Sequence, residues 1–185
     1  MKKLRLLVTP ECPNSCPLCC NKQINLDGLP IASSFTYEEI IITGGEPVLY
    51  YLKVAALIKT IRETEHYTGN RAKIYLQTAV YPSDLYVDRL YYIMFNSSLD
   101  GIALTVHSKE AIPYLQKLQN RILNRRDQGK NLSLKLISFK GRDFSAEDYP
   151  NWSIKNNVEW LEDCPLPSGE VFMRLKQTWK EGAVF

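Results

Sequence analysis

Leu4-Arg5-Leu6-Leu7-Val8-Thr9 runs directly into Pro10-Glu11-Cys12-Pro13-Asn14-Ser15-Cys16-Pro17-Leu18-Cys19-Cys20. The first six residues form a short apolar run that reads as a strand. The segment behind it carries thiols spaced C-x3-C-x2-C at Cys12, Cys16 and Cys19. Three thiolates so close together suit a metal or iron–sulfur site better than a disulfide framework, because a cubane cluster offers a separate iron to each neighbouring sulfur. Three ligands rather than four leave one iron open. The prolines at 13 and 17 stiffen the loop, and Asn14-Ser15 suits a turn. A zinc knot needs a fourth Cys or His. Cys20 adjoins the loop, but neighbouring residues seldom point at one metal, and Cys164 is remote in sequence. Packing as free thiols is the default for these two.

Outward from this stretch, apolar runs alternate with helical patterns, the signature of an α/β fold with a mainly parallel sheet. Strands are expected at Leu4–Thr9, Glu39–Thr43, Lys73–Thr78, Gly101–His107 and Asn131–Ser138, with weaker candidates at Val158–Leu161 and Val171–Lys176. Tyr51–His66 places Val54, Leu57, Ile58 and Ile61 on one helical stripe. Ser83 or Asp84 can cap a second helix containing Leu85, Leu90, Ile93 and Met94. Glu110–Arg126 buries Leu115, Leu118, Ile122 and Leu123 and ends in cations, which favour the helix dipole. Between Cys19 and Gly44 only Thr36-Tyr37-Glu38-Glu39 resembles a helical turn, so the first crossover helix is expected to be short or replaced by a loop. No repeat, linker or low-complexity tract divides the 185 residues, so a single domain over 1–185 is expected, with a core at 1–140 and a C-terminal cap at 141–185.

A net charge of +3 is too weak alone to argue for a nucleic-acid partner; the basic stretch from Arg121 to Arg142 has the helix-end explanation just given, with binding of a phosphate or nucleic acid as its alternative. No apolar run approaches membrane-spanning length, so a cytoplasmic protein without a membrane partner is expected. Five cysteines, four of them between Cys12 and Cys20, suit a reducing compartment.

A second motif, Thr43-Gly44-Gly45-Glu46-Pro47, closes the apolar run Ile40-Ile41-Ile42. Glycines let a backbone approach a ligand closely, and a carboxylate there can pair with an ammonium group. Alone, such a motif is also an ordinary strand-to-helix turn. Together with the C-x3-C-x2-C loop it resembles the radical S-adenosylmethionine family over roughly the first 140 residues. One departure is Leu18, where the family usually has an aromatic residue before the last cysteine.

The resemblance implies a partial (β/α) barrel of about five to six mainly parallel strands. It implies a 4Fe-4S cluster on Cys12, Cys16 and Cys19, and S-adenosylmethionine held through Gly44, Gly45, Glu46 and Pro47, with Glu46 on the methionine amino group. Polar strand ends are expected to add cofactor contacts: Thr78, beside Gln77, and Thr105 with His107; Ser138 and Lys140 hold the comparable place on the fifth strand. The implied activity is reductive cleavage of S-adenosylmethionine to a 5′-deoxyadenosyl radical and abstraction of a substrate hydrogen. Size resembles that of glycyl-radical activating enzymes, so a glycyl-radical protein is one implied partner and a small molecule another, with an electron donor of flavodoxin or ferredoxin type. Modification of nucleosides or peptides is the alternative within the family. From a different class, the same cysteines would serve a non-catalytic iron–sulfur or zinc module for binding or electron transfer. No catalytic residue is singled out.

Overall fold

The computed structural model describes residues 2–125, 131–162 and 165–180. Seven strands form one sheet: β1 (Lys3–Thr9), β2 (Glu39–Gly44), β3 (Lys73–Ala79), β4 (Gly101–Val106), β5 (Ser133–Phe139), β6 (Ser153–Val158) and β7 (Glu170–Arg174). Their order is β6-β5-β4-β3-β2-β1-β7, every neighbouring pair is parallel, and the sheet is open. The α/β expectation holds, with more strands than expected. The added strands come from beyond residue 140: β6 and β7 supply the two opposite edges. The sixth strand lies earlier than Val158–Leu161, because Trp152 and Tyr149, both buried, anchor the chain just before Ser153.

Three helices follow the strands in the expected places: α2 (Tyr51–Thr68), α3 (Asp84–Asn96) and α4 (Ile112–Leu123). Before α4, Lys109–Ala111 form a separate 3-10 turn, since Pro113 fits only the first turn of a helix. Arg126 lies outside the described residues. The first crossover keeps only α1 (Cys20–Gln23), and the turn expected at Thr36–Glu39 is extended chain entering β2. Gly28 and Pro30 in that interval explain why no longer helix forms.

A sheet in which every strand pair is parallel normally reads as continuous apolar runs because both faces are covered. Here the strands alternate. Leu4, Leu6, Ile40, Ile42, Ile74, Leu76, Ile102, Leu104, Leu134 and Leu136 are buried with Val54, Ile58 and Ile61 of α2, Leu90, Ile93 and Met94 of α3, and Leu115 and Leu118 of α4. The intervening positions carry Arg5, Tyr75, Gln77 and Lys135 and are half-buried or exposed. On this second face Arg5 donates to Glu170 (2.9 Å) and to Gln77 (2.6 Å), and Lys3 pairs with Glu39 (3.1 Å). The helix-covered face takes most of the large apolar residues, while the second face mixes polar residues with Leu7, Ile41, Ala103 and Ile137 and lines a cavity.

Candidate active site

At the carboxyl ends of β2, β3 and β4, the cysteine loop and the C-terminal segments enclose a cavity of about 410 Å³. Crevices outside the carboxyl ends of strands are where parallel α/β sheets collect ligands. Cys12, Cys16, Cys19, Gly44, Gly45, Thr78, Thr105 and His107 all border it, as do Gln77 and Leu18. Glu46, Pro47 and Ser138 do not. Residues from four separate stretches of chain thus meet at one place.

The glycine pair has a local role beyond the one expected from sequence. Gly45 N–H donates to the Thr9 carbonyl and Glu46 N–H to the Glu11 carbonyl, both at 2.6 Å. A Cβ on Gly45 would lie 1.9 Å from the Glu11 carbonyl oxygen, and one on Gly44, whose φ is +142°, would lie 2.3 Å from that of Thr9. The glycines therefore admit the chain's own backbone, locking the end of β2 onto the segment that launches Cys12. Thr9 Oγ1 completes this junction by accepting from Glu11 N–H (3.1 Å) and donating to the Trp179 carbonyl (2.7 Å).

Glu46 is 1% exposed and stands behind the cavity wall. Its carboxyl accepts from Val48 N–H (3.0 Å), Ala79 N–H (3.1 Å) and the Thr78 hydroxyl. Because Thr78 gives its proton to Glu46, it must accept from Tyr86 Oη, 2.7 Å away. No lysine or arginine among the described residues pairs with Glu46, and burial pushes its carboxyl up to about 7. Pro47 opens the 3-10 turn that Glu46 caps.

Cys12, Cys16 and Cys19 are free thiols, exposed or half-buried. Desolvation pushes the Cys12 thiol up to about 11, and the nearby charges of Glu46, Cys16 and Cys19 add to the rise. Cys16 is raised by desolvation and then by Cys19. Three sulfurs near enough to repel one another form a donor set whose ionisation calls for a positive group among them. Cys20 is in a disulfide, correcting the expectation of a packed free thiol; Cys164 lies outside the described residues. The one thiol adjoining the loop that could complete a four-cysteine zinc site is thereby committed elsewhere. Among the described residues no three His, Cys, Asp or Glu side chains are grouped to hold a single metal ion.

His107 and Lys140 border a neighbouring cavity, while Ser138 is buried beneath it, within reach of the Arg142 carbonyl and of Asn156 Oδ1 (2.9 Å). His107 stacks with Phe139 and Trp160, and those two rings lie 3.8 Å apart and parallel within 1°. Burial and the Arg142 charge push the His107 imidazole down to about 4, so it is neutral at pH 7. Sequence reasoning missed Phe139, Arg142 and Trp160. The only signal was the aromatic composition of 151–160, which does not say where a ring lands.

Compared with protein-family models, curated proteins and solved structures, the chain finds no match.

Proposed function

We propose that this protein is a radical S-adenosylmethionine enzyme built on an opened (β/α) barrel. The observation that carries the reading is the convergence of three free thiols, the glycine turn and the polar ends of β3 and β4 on one cavity. The donor set fits a 4Fe-4S cluster: three thiolates on one loop, and among the described residues no fourth free thiol beside them. When bound, such a cluster with S-adenosylmethionine supplies one-electron cleavage of the sulfonium to a 5′-deoxyadenosyl radical. No helix among the described residues is long and apolar enough to cross a membrane, which suits an exchangeable electron donor of flavodoxin or ferredoxin type.

The chain's own residues would do the placing. Cys12, Cys16 and Cys19 would hold the cluster, with Leu18 excluding water beside it. The resemblance assigns Glu46 to the methionine ammonium; it lacks a cationic partner among the described residues, and Gly45 and Thr78 stand between it and the cavity they line. An arriving ammonium favours the ionised carboxyl, lowering the pKa that burial has raised. Thr105 and Gln77 offer hydroxyl and amide groups to the ribose. Apolar side chains of Leu161, Leu166 and Phe172 border the same cavity, where a reactive carbon must meet only one hydrogen.

The test is anaerobic reconstitution with iron and sulfide, followed by reduction with dithionite in the presence of S-adenosylmethionine. Slow formation of 5′-deoxyadenosine and methionine is expected without any substrate. A protein with an intact cluster that forms neither product would move the non-catalytic electron-transfer module ahead.

A further inference from the structure

Beside the thiol-lined cavity lies a second one of about 390 Å³, where the turn of the cysteine loop meets the ends of β4, β5 and β6. Both are bordered by Asn14, Cys16, Val158, Glu159 and the rings of His107, Phe139 and Trp160, so the aromatic stack stands where they join. Among the described residues, six buried side-chain polar atoms have no hydrogen-bond partner. Three of them, Asn14 Nδ2, His107 Nδ1 and Arg142 Nε, belong to residues lining this one cavity. Asn14 Nδ2 and Arg142 Nε carry N–H groups that lack an acceptor, and His107 Nδ1 is without a partner in either tautomer. In a native fold such groups are met by an ordered water, an ion or a ligand.

Charge narrows what that is. Glu159 lines this cavity and Glu110 stands close enough to feel the Arg142 charge, but among the described residues neither forms an ion pair with Arg142; Lys140 is 3.6 Å from Glu159. The Arg142 main chain is anchored separately, its N–H donating to the Phe139 carbonyl (3.2 Å) and its carbonyl accepting from Ser138. Asn156 holds the same loop through Phe144 N–H (3.1 Å) and the Phe144 carbonyl (2.8 Å). A guanidinium on a braced loop, with free donors around it, is suited to an oxyanion.

We infer that this second cavity receives an oxyanion of the substrate, a phosphate or carboxylate, with Arg142, His107 and Asn14 as donors. The rest of the substrate then passes the Trp160 and Phe139 rings into the thiol-lined cavity. The anion pocket itself stands on its own geometry; that its occupant is the substrate rests on the reading under Proposed function.

The test titrates inorganic phosphate and, separately, acetate into the unreconstituted protein by calorimetry, in chloride buffer. Saturable binding of at least one anion is expected. It should weaken about tenfold to hundredfold in Arg142→Gln, as for loss of a charged hydrogen bond, and less in Arg142→Lys. Circular dichroism and the urea midpoint check that the variants fold. Asn14→Ala gives a second probe, since it keeps the main-chain N–H that faces the Cys12 thiol. Repeating the titration on reconstituted protein with saturating S-adenosylmethionine distinguishes the source. Retained binding is the expected result, and displacement would assign the pocket to the cofactor's own carboxylate and overturn the inference. No binding of either anion, or unchanged affinity in both Arg142→Gln and Asn14→Ala, would also overturn it. Anion binding by a protein that forms no 5′-deoxyadenosine would leave the pocket and remove the cofactor reading.

Discussion

The two ends of the cavity rim are built in opposite ways. On the β1–β2–β3 side, the cysteine loop and glycine turn are joined main chain to main chain, and Glu46, Thr78 and Tyr86 satisfy one another. On the β4–β5–β6 side, nitrogens on His107 and Arg142 stay unpaired, and flat rings are stacked by side-chain packing alone. A main-chain junction leaves little latitude for geometry, because a single Cβ cannot be accommodated. A side-chain wall can change composition without disturbing the backbone. The first construction suits a group that must always sit in one place, and the second suits the partner that distinguishes this protein from others.

The contrast can be broken most sharply at the thiols. Cys16→Ala should abolish the iron–sulfur absorbance of reconstituted protein, and Cys20→Ser should retain it. A full cluster in Cys16→Ala would remove the site from this loop. Next in size is Gly45→Ala, whose methyl would meet main-chain oxygens of Glu11 and Pro10. A loss of about 3 kcal/mol or more is expected by urea unfolding, the upper range for overpacking. Gly69→Ala is the comparison: its φ is +68° but nothing lies within 4 Å, so only left-handed strain of about 1 kcal/mol should appear. Equal costs at both positions would show that the junction is looser than drawn.

Glu46→Gln keeps the shape of the cap and removes its charge. Cluster absorbance should persist while affinity for S-adenosylmethionine falls about tenfold to hundredfold, read by calorimetry. Undiminished affinity would leave Glu46 a structural cap only.

The smallest effect is on the far side of the rim. His107 is lowered from 6.5 to about 4, so between those values the unfolded chain binds the proton and the folded chain does not. Stability should therefore rise with pH across that window, reaching its full value above 6.5 and being lost as pH falls through 4. The contribution is on the order of 1–2 kcal/mol once partial exposure is discounted. His107→Gln should flatten this slope in urea titrations at pH 4.5 and 7. A slope identical to wild type would place the imidazole in solvent.

Local patterns carried most of the framework. Short apolar runs located β1 to β5, and apolar residues at helical spacing located the helices after β2, β3 and β4, because such patterns are written directly in residue order. The weak first crossover was legible from Gly28 and Pro30, and the thiol spacing marked the loop before any contact was known. Three things were not legible. The places of β6 and β7 at opposite edges depend on pairing between segments far apart in sequence. The reason for Gly44 and Gly45 depends on the approach of Thr9 and Glu11 from another strand. The stack of His107, Phe139 and Trp160, with Arg142 beside it, joins strand ends whose neighbours only the sheet order assigns. Sequence by itself determined which residues were able to form elements and ligate through sulfur, since those are short-range properties of the chain. Which of them share a wall, and which donors are left without an acceptor, was decided by tertiary structure, because both depend on the packing of strands distant in sequence.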